Sequence, residues 1–168
     1  PVSWVPVAGV AHDTKGLYQR GGLESLRFVE QGFRGPWAPS EGVVQDLFYW
    51  SELNRRNVWI KVYTPPGYEG GIERYPVIYN LHGAGGGTPQ RQWVRAGATM
   101  KDAVENRKVR PMIYVFVNGL GDTFFLDYHD GLVKAESMIV RELIPFIDGR
   151  YRTIASRDGR AIDGFSMG

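Results

Sequence analysis

The chain has 168 residues, 43% of them hydrophobic and 13% aromatic, and a formal net charge of +2. That is enough length and apolar content for one domain with a real core, and no Lys/Arg cluster interleaved with aromatics supports nucleic-acid binding. With no cysteine, disulfides, thiol catalysis and thiolate metal sites are excluded, and no apolar run approaches the roughly 20 residues that span a bilayer.

Residues 1–42 carry Pro1, Pro6, Pro36, Pro39 and many glycines, with one short candidate helix over Leu23–Glu30. They read as an irregular Pro/Gly-rich lead-in, with a second unit over 43–168. Pro1 is not an initiator methionine and no charged-then-apolar leader precedes it. A cut N-terminus is therefore expected, made either by signal peptidase or by the choice of expressed sequence; the compartment stays open, with secreted or periplasmic slightly favoured over cytoplasmic. From Val43 the pattern sharpens. Val43–Trp50 and Asn57–Tyr63 are rich in β-branched and aromatic residues and flank the polar Ser51–Arg56, which predicts a hairpin. Val58, Ile60 and Val62 alternate with Trp59, Lys61 and Tyr63, so one face of the second strand should be core.

Pro76–Leu81 and Met112–Val117 are nearly continuous apolar runs, as expected of strands buried on both faces of a parallel sheet. Between them Gln92–Lys108 has helical spacing, with Trp93, Ala96, Met100, Ala103 and Val104 on its apolar side. Leu132–Ile147 places Leu132, Ala135, Ile139, Leu143, Phe146 and Ile147 on one stripe, and Pro145 should bend or end that helix. Arg160–Asp163 is a short strand. Hairpin, strand, helix, strand, helix, strand predicts an α/β domain whose crossovers pack on both faces.

Four segments at or beyond strand ends carry the chemistry, at the edge where open α/β sheets bind ligands. The first, His82-Gly83-Ala84-Gly85-Gly86-Gly87, lets backbone N–H groups approach an oxyanion. As a phosphate loop it lacks the Gly-Lys-Ser/Thr ending. The second, Gly164-Phe165-Ser166-Met167-Gly168, follows a strand and has the form of a nucleophile elbow. In the third, Asn118 to Tyr128, Phe124 and Phe125 are candidates for a substrate wall, and core packing is the competing role. In the fourth, Pro89–Trp93, Trp93 either covers the serine or anchors its helix. Of the histidines, His82 should brace the glycine loop, His129 should be a solvated loop residue and His12 lies in the lead-in. No His-Glu-x-x-His or other metal spacing occurs, and no cofactor is expected.

Several stretches resemble one family. They are Val62-Tyr63-Thr64-Pro65-Pro66-Gly67-Tyr68, Tyr75-Pro76-Val77-Ile78-Tyr79-Asn80-Leu81-His82-Gly83, Asn118-Gly119, Glu142-Leu143-Ile144-Pro145-Phe146-Ile147-Asp148, Tyr151-Arg152-Thr153 and Gly164-Phe165-Ser166-Met167-Gly168. In order and spacing they resemble bacterial esterases of the α/β-hydrolase fold, close to feruloyl and acetyl-xylan esterases, enterochelin esterases and esterase D. The resemblance covers 43–168 and implies the N-terminal portion of an α/β-hydrolase sheet, ending just after the elbow. It further implies ester hydrolysis by a Ser-His-acid triad, with Ser166 as nucleophile. The backbone N–H groups of Met167 and Ala84 would bind the oxyanion, with Gly83 or Gly85 as neighbouring possibilities. A small ester or an esterified carbohydrate would be the substrate. The family's acid and histidine lie after later strands, so they are expected to be absent from this chain. Strand Arg160–Asp163 would then be an open edge, inviting self-association or a complementing chain. The rival expectations are unaided hydrolysis of activated esters and a non-catalytic binding or assembly module.

Overall fold

The computed structural model describes residues 42–85, 89–93 and 97–168. The proposed lead-in, His12, the glycines at 86 and 87, and part of the first predicted helix (94–96) lie outside the described residues. Five strands form one sheet: β1 (Val43–Ser51), β2 (Arg56–Thr64), β3 (Val77–Leu81), β4 (Ile113–Phe116) and β5 (Arg160–Gly164). Their spatial order is β1-β2-β4-β3-β5. The β1/β2 and β2/β4 pairs are antiparallel, whereas β3 runs parallel to both β4 and β5. All five predicted strands are present within a residue or two. Among the described residues β5 has β3 as its sole strand neighbour.

Strands β3 and β4 are almost wholly apolar and buried because both faces are covered. Helix α1 (Ala98–Glu105) buries Met100, Ala103 and Val104 with Ile78, Tyr114, Phe116 and Ala161 on one face. Helix α2, at 135–150, buries Met138, Leu143 and Ile147 with Val77, Tyr79, Val115 and Ile60 on the other. Alternation in β2 marks its α2 face correctly: Val58, Ile60 and Val62 are fully enclosed. The opposite face is exposed only toward the hairpin tip, since Tyr63 lies under α1 and Lys61 is buried in an ion pair with Asp46 at 2.7 Å.

The second helix departs from its sequence pattern in two ways. Leu132 is 79% exposed and precedes the helix, which begins at Ala135. Pro145 does not end it, and the helix continues to Arg150. The reason is the π-helical turn Ile139–Leu143 just ahead. It resets the hydrogen-bond register, so Pro145 becomes the second residue of a new α segment, Ile144–Arg150. At that position a missing N–H costs nothing. The same turn carries Glu142 toward the hairpin, where its carboxylate accepts from Ser51 Oγ at 2.6 Å and from the Leu53 N–H at 2.9 Å.

Glu142 thus ties the tip of the hairpin to the helix that covers the sheet. Hydrogen bonds to a charged acceptor are typically worth about 1.5–3 kcal/mol each. Glu142→Ala should lower unfolding stability by about 2–4 kcal/mol, read from urea denaturation, and Glu142→Gln should recover part of it. A loss under about 0.5 kcal/mol, the level of an ordinary surface change, would show the tie to be incidental.

Candidate functional site

Parallel β3, β4 and β5 end together, so the loops leaving them meet at one edge. Phe165 N–H donates to Leu81 O at 3.2 Å and Gly168 N–H to Phe165 O at 3.0 Å, folding 164–168 back over the end of β3. The closeness dictates both glycines. A Cβ at Gly164 would sit 2.5 Å from the Gly168 carbonyl, and one at Gly168 would sit 2.4 Å from Leu81 O. Between them Ser166 is exposed and takes φ = 54°, the left-handed region that non-glycine residues rarely enter. The strained turn therefore holds the hydroxyl outward on a short, fixed stem.

The glycine loop after β3 touches this turn directly. A Cβ at Gly83 would come within 2.8 Å of the Phe165 ring and 3.2 Å of Phe165 O. His82, 1% exposed, fixes the loop from beneath. Its Nε2 accepts the Gly119 N–H at 3.0 Å, which places the ring proton on Nδ1, facing Gly83 O at 3.0 Å. Burial holds its pKa below the usual histidine value. A ring with both nitrogens committed to backbone is a brace, as its place in the sequence indicated. His129 is exposed in the turn after Asp127. Gly85 N–H donates to both carboxylate oxygens of Asp122 at 3.0 Å, so that amide is already engaged. Ala84 lies between, exposed.

The two phenylalanines divide their roles. Phe125 is buried, with its ring edge against His82 at 5.0 Å, whereas Phe124 is 66% exposed. Phe124 N–H also reaches Met167 Sδ at 3.4 Å. Both phenylalanines line a groove of about 910 Å³, together with Met167, Ile139, Ile144 and Ile162. Trp93 is elsewhere. It stacks on Tyr63 at 6.4 Å and meets Phe116 edge-on at 5.7 Å, packed into the α1 face. Of its two expected roles, helix anchoring matches that position.

Two acids escaped notice in the sequence. Asp122 was one letter in an aromatic loop, with nothing to mark its partner. Asp163 had a signal, being a carboxylate in a strand otherwise bound for the core. Its Oδ2 accepts the Tyr114 hydroxyl, and it pairs in register with Asn80 of β3, whose side chain is enclosed. The residue as a whole is only half-buried, but loss of water around the carboxyl raises its pKa against the opposing hydrogen bond from Tyr114.

Comparisons with known proteins agree with this geometry. The family model described as Esterase (putative esterase) matches residues 51–168. A bifunctional endo-1,4-beta-xylanase/feruloyl esterase from Xylanibacter ruminicola is 33% identical over 138 residues, covering 77% of this chain and 19% of that protein. An esterase of Mycobacterium tuberculosis is 31% identical over 115 residues, 67% of this chain and 24% of that one. Among solved structures, a ferulic acid esterase matches with TM-score 0.67 and 29% identity, over 76% of this chain and 50% of the other. A feruloyl esterase module from Clostridium thermocellum shares the fold at TM-score 0.60 and 21% identity, over 83% of this chain and 48% of that one. The chain thus spans a fifth to a quarter of these curated relatives and about half of these structures.

Two stability tests follow from the turn and the buried acid. Gly164→Ala and Gly168→Ala press a methyl onto backbone and should each cost about 1–3 kcal/mol or more, whereas Gly149→Ala, a helical site with open space around it, should gain up to about 1 kcal/mol. Equal effects at the three sites in urea melts would contradict the turn geometry. For Asp163, a folded pKa above the unfolded one gives stability that is complete below the ordinary aspartate range and lost as pH rises through the folded value. Asp163→Asn should therefore melt higher than the parent at neutral pH, and the gap should close on acidification. A gap that widens in acid would reverse the sign of this assignment. The fold, the glycine-bounded turn at Ser166 and the matched span together place this chain in the esterase family of the α/β-hydrolase fold.

Proposed function

We propose that this chain carries the nucleophile and backbone oxyanion site of a serine carboxylic-ester hydrolase. The observation that carries the reading is Ser166 at φ = 54° between two glycines that no larger residue can replace. In this reading Ser166 Oγ gives its proton to a base and attacks the ester carbonyl. The ester C–O bond breaks, the alcohol leaves with that proton, and water hydrolyses the acyl-enzyme to the carboxylic acid and free serine. The Met167 N–H follows the nucleophile and donates to the developing oxyanion, and the Ala84 N–H is the second donor. Gly85 is the weaker alternative because Asp122 already engages its N–H. Each donor is typically worth about 2.7–4 kcal/mol in the transition state. Phe124 and Phe125 flank the acyl group.

His82 is spent on backbone, so the base that activates Ser166 comes from polypeptide outside the described residues. The triad acid is assigned to the same source. Feruloyl esterase relatives favour an aromatic or acetyl ester carried on carbohydrate. A second reading, a fold-keeping module completed by another polypeptide or another copy, is favoured by the open edge of β5 and the apolar groove beside it. In that case light scattering should find self-association or a complex instead of a monomer.

Intact mass after treatment with a fluorophosphonate separates these readings. The probe should add once, at Ser166, when the chain is joined to whatever sequence follows Gly168 in its gene, and Ser166→Ala should abolish the adduct. Adduct formation on the 168-residue chain alone would make it a self-sufficient nucleophile. Absence of labelling in both forms would leave the non-catalytic module standing and remove the esterase reading.

A further inference from the structure

The glycine loop is tied to the 118–128 loop at two places, and they differ in kind. His82 makes the inner tie, buried and packed against Phe125. Asp122 makes the outer tie, exposed, with both carboxylate oxygens 3.0 Å from the Gly85 nitrogen. Nothing lies within 4 Å of where a Gly85 Cβ would project, so no side chain packs on the loop from that direction. The loop that presents Asp122 is, by contrast, rigidly built. Thr123 Oγ1 donates to Gly119 O at 2.7 Å, Phe125 N–H returns to Thr123 Oγ1 at 3.1 Å, and Leu120 N–H is held by Asn118 Oδ1 at 2.9 Å. Phe124 N–H extends the chain of contacts to Met167 Sδ, beside Ser166. One rigid loop therefore holds both the glycine loop and the elbow.

We propose that Asp122 is a positioning residue for the reaction: by holding the Gly85 N–H it fixes the adjacent Ala84 amide relative to Ser166. This rests on the assignment of Ser166 and Ala84 given above. A charged acceptor suits the task because such hydrogen bonds are roughly twice as strong as neutral ones. The carboxylate also keeps Gly85 from turning its own N–H inward, so the loop presents one amide in one place. Asp122 itself touches no reacting atom.

The test uses Asp122→Ala and Asp122→Asn, in whichever form of the protein labels with fluorophosphonate. Asp122→Ala should slow labelling at saturating probe by about 10- to 100-fold, the scale of a misplaced catalytic group, with the half-saturating probe concentration unchanged. The melting temperature should stay near the parent's, since the side chain is exposed. Asp122→Asn keeps an acceptor oxygen and should recover the rate to within about threefold, in line with a neutral bond replacing a charged one. In ¹H–¹⁵N spectra of the 168-residue chain, the Gly85 amide proton should move upfield and exchange faster in Asp122→Ala. An unchanged Gly85 resonance overturns the tie, and an unchanged rate beside an altered resonance overturns its role in positioning. A loss confined to half-saturation overturns it too. If no form labels, the nucleophile assignment fails and takes the positioning role with it, while the Gly85 resonance still decides whether the tie exists.

Discussion

The backbone of 164–168 rests against the end of β3 with no room for a side chain at either glycine, and the rest of the site follows from that contact. Because β5 pairs with β3 along its whole length, Leu81 opposite Gly164, the two strands deliver their loops to one point. The Leu81 carbonyl closes the turn by accepting the Phe165 N–H. A left-handed serine costs on the order of 1–3 kcal/mol, and the chain tolerates it because two paired strands and a packed core over-determine the position. The strain stays at Ser166 because nothing around it can move to release it.

Rigidity at this edge comes from backbone partners more than from apolar burial. His82, Asp122 and Met167 Sδ each accept an N–H from a different loop, so the loops at 82–85, 118–125 and 166–167 form a closed set. Left-handed backbone at Leu120, Phe124 and Phe125 fits the same pattern of conformations held by their surroundings. The groove floored by Tyr79, Leu81 and Ile162 lies on the α2 side of this set. Its lining includes Arg160 and Ile162 of β5, the strand that among the described residues has β3 as its sole neighbour.

Much of this was legible in the sequence, because the signals were local. Continuous apolar runs gave the buried parallel strands, alternation gave the core face of β2, and the glycine-bounded pentapeptide gave the tight turn at Ser166. The misses were of another kind. Leu132 matched the helical stripe by spacing alone, while the bridge between Asp127 and Lys134 closes a turn that holds Leu132 ahead of the helix. Pro145 was read against an uninterrupted α-helix, and a π turn has no signature in residue spacing. Asp122, Gly85 and the committed ring of His82 depend on contacts across 37 residues of sequence. Trp93 was ambiguous until Tyr63 and Phe116 were seen around it.

In the proposed reading the site stabilises a developing oxyanion, which tolerates little uncompensated negative charge, and two aspartates stand on the loops and strand that build it. Each is dealt with differently. Asp163, shut beneath the elbow, has its pKa raised by loss of water, and the Tyr114 hydroxyl meets it. Asp122 stays out in solvent and is occupied by an N–H from the loop it holds. His82, with its pKa lowered by burial and its proton turned toward Gly83 O, adds no positive charge to offset either. In that reading stabilisation above Ser166 falls to backbone N–H dipoles. Their value depends on being fixed before the reaction, because a dipole that must reorient loses most of its advantage over water. The glycines, the brace at His82 and the outer tie at Asp122 all serve that single requirement, which is why so much of the hydrogen bonding at this edge runs between loops.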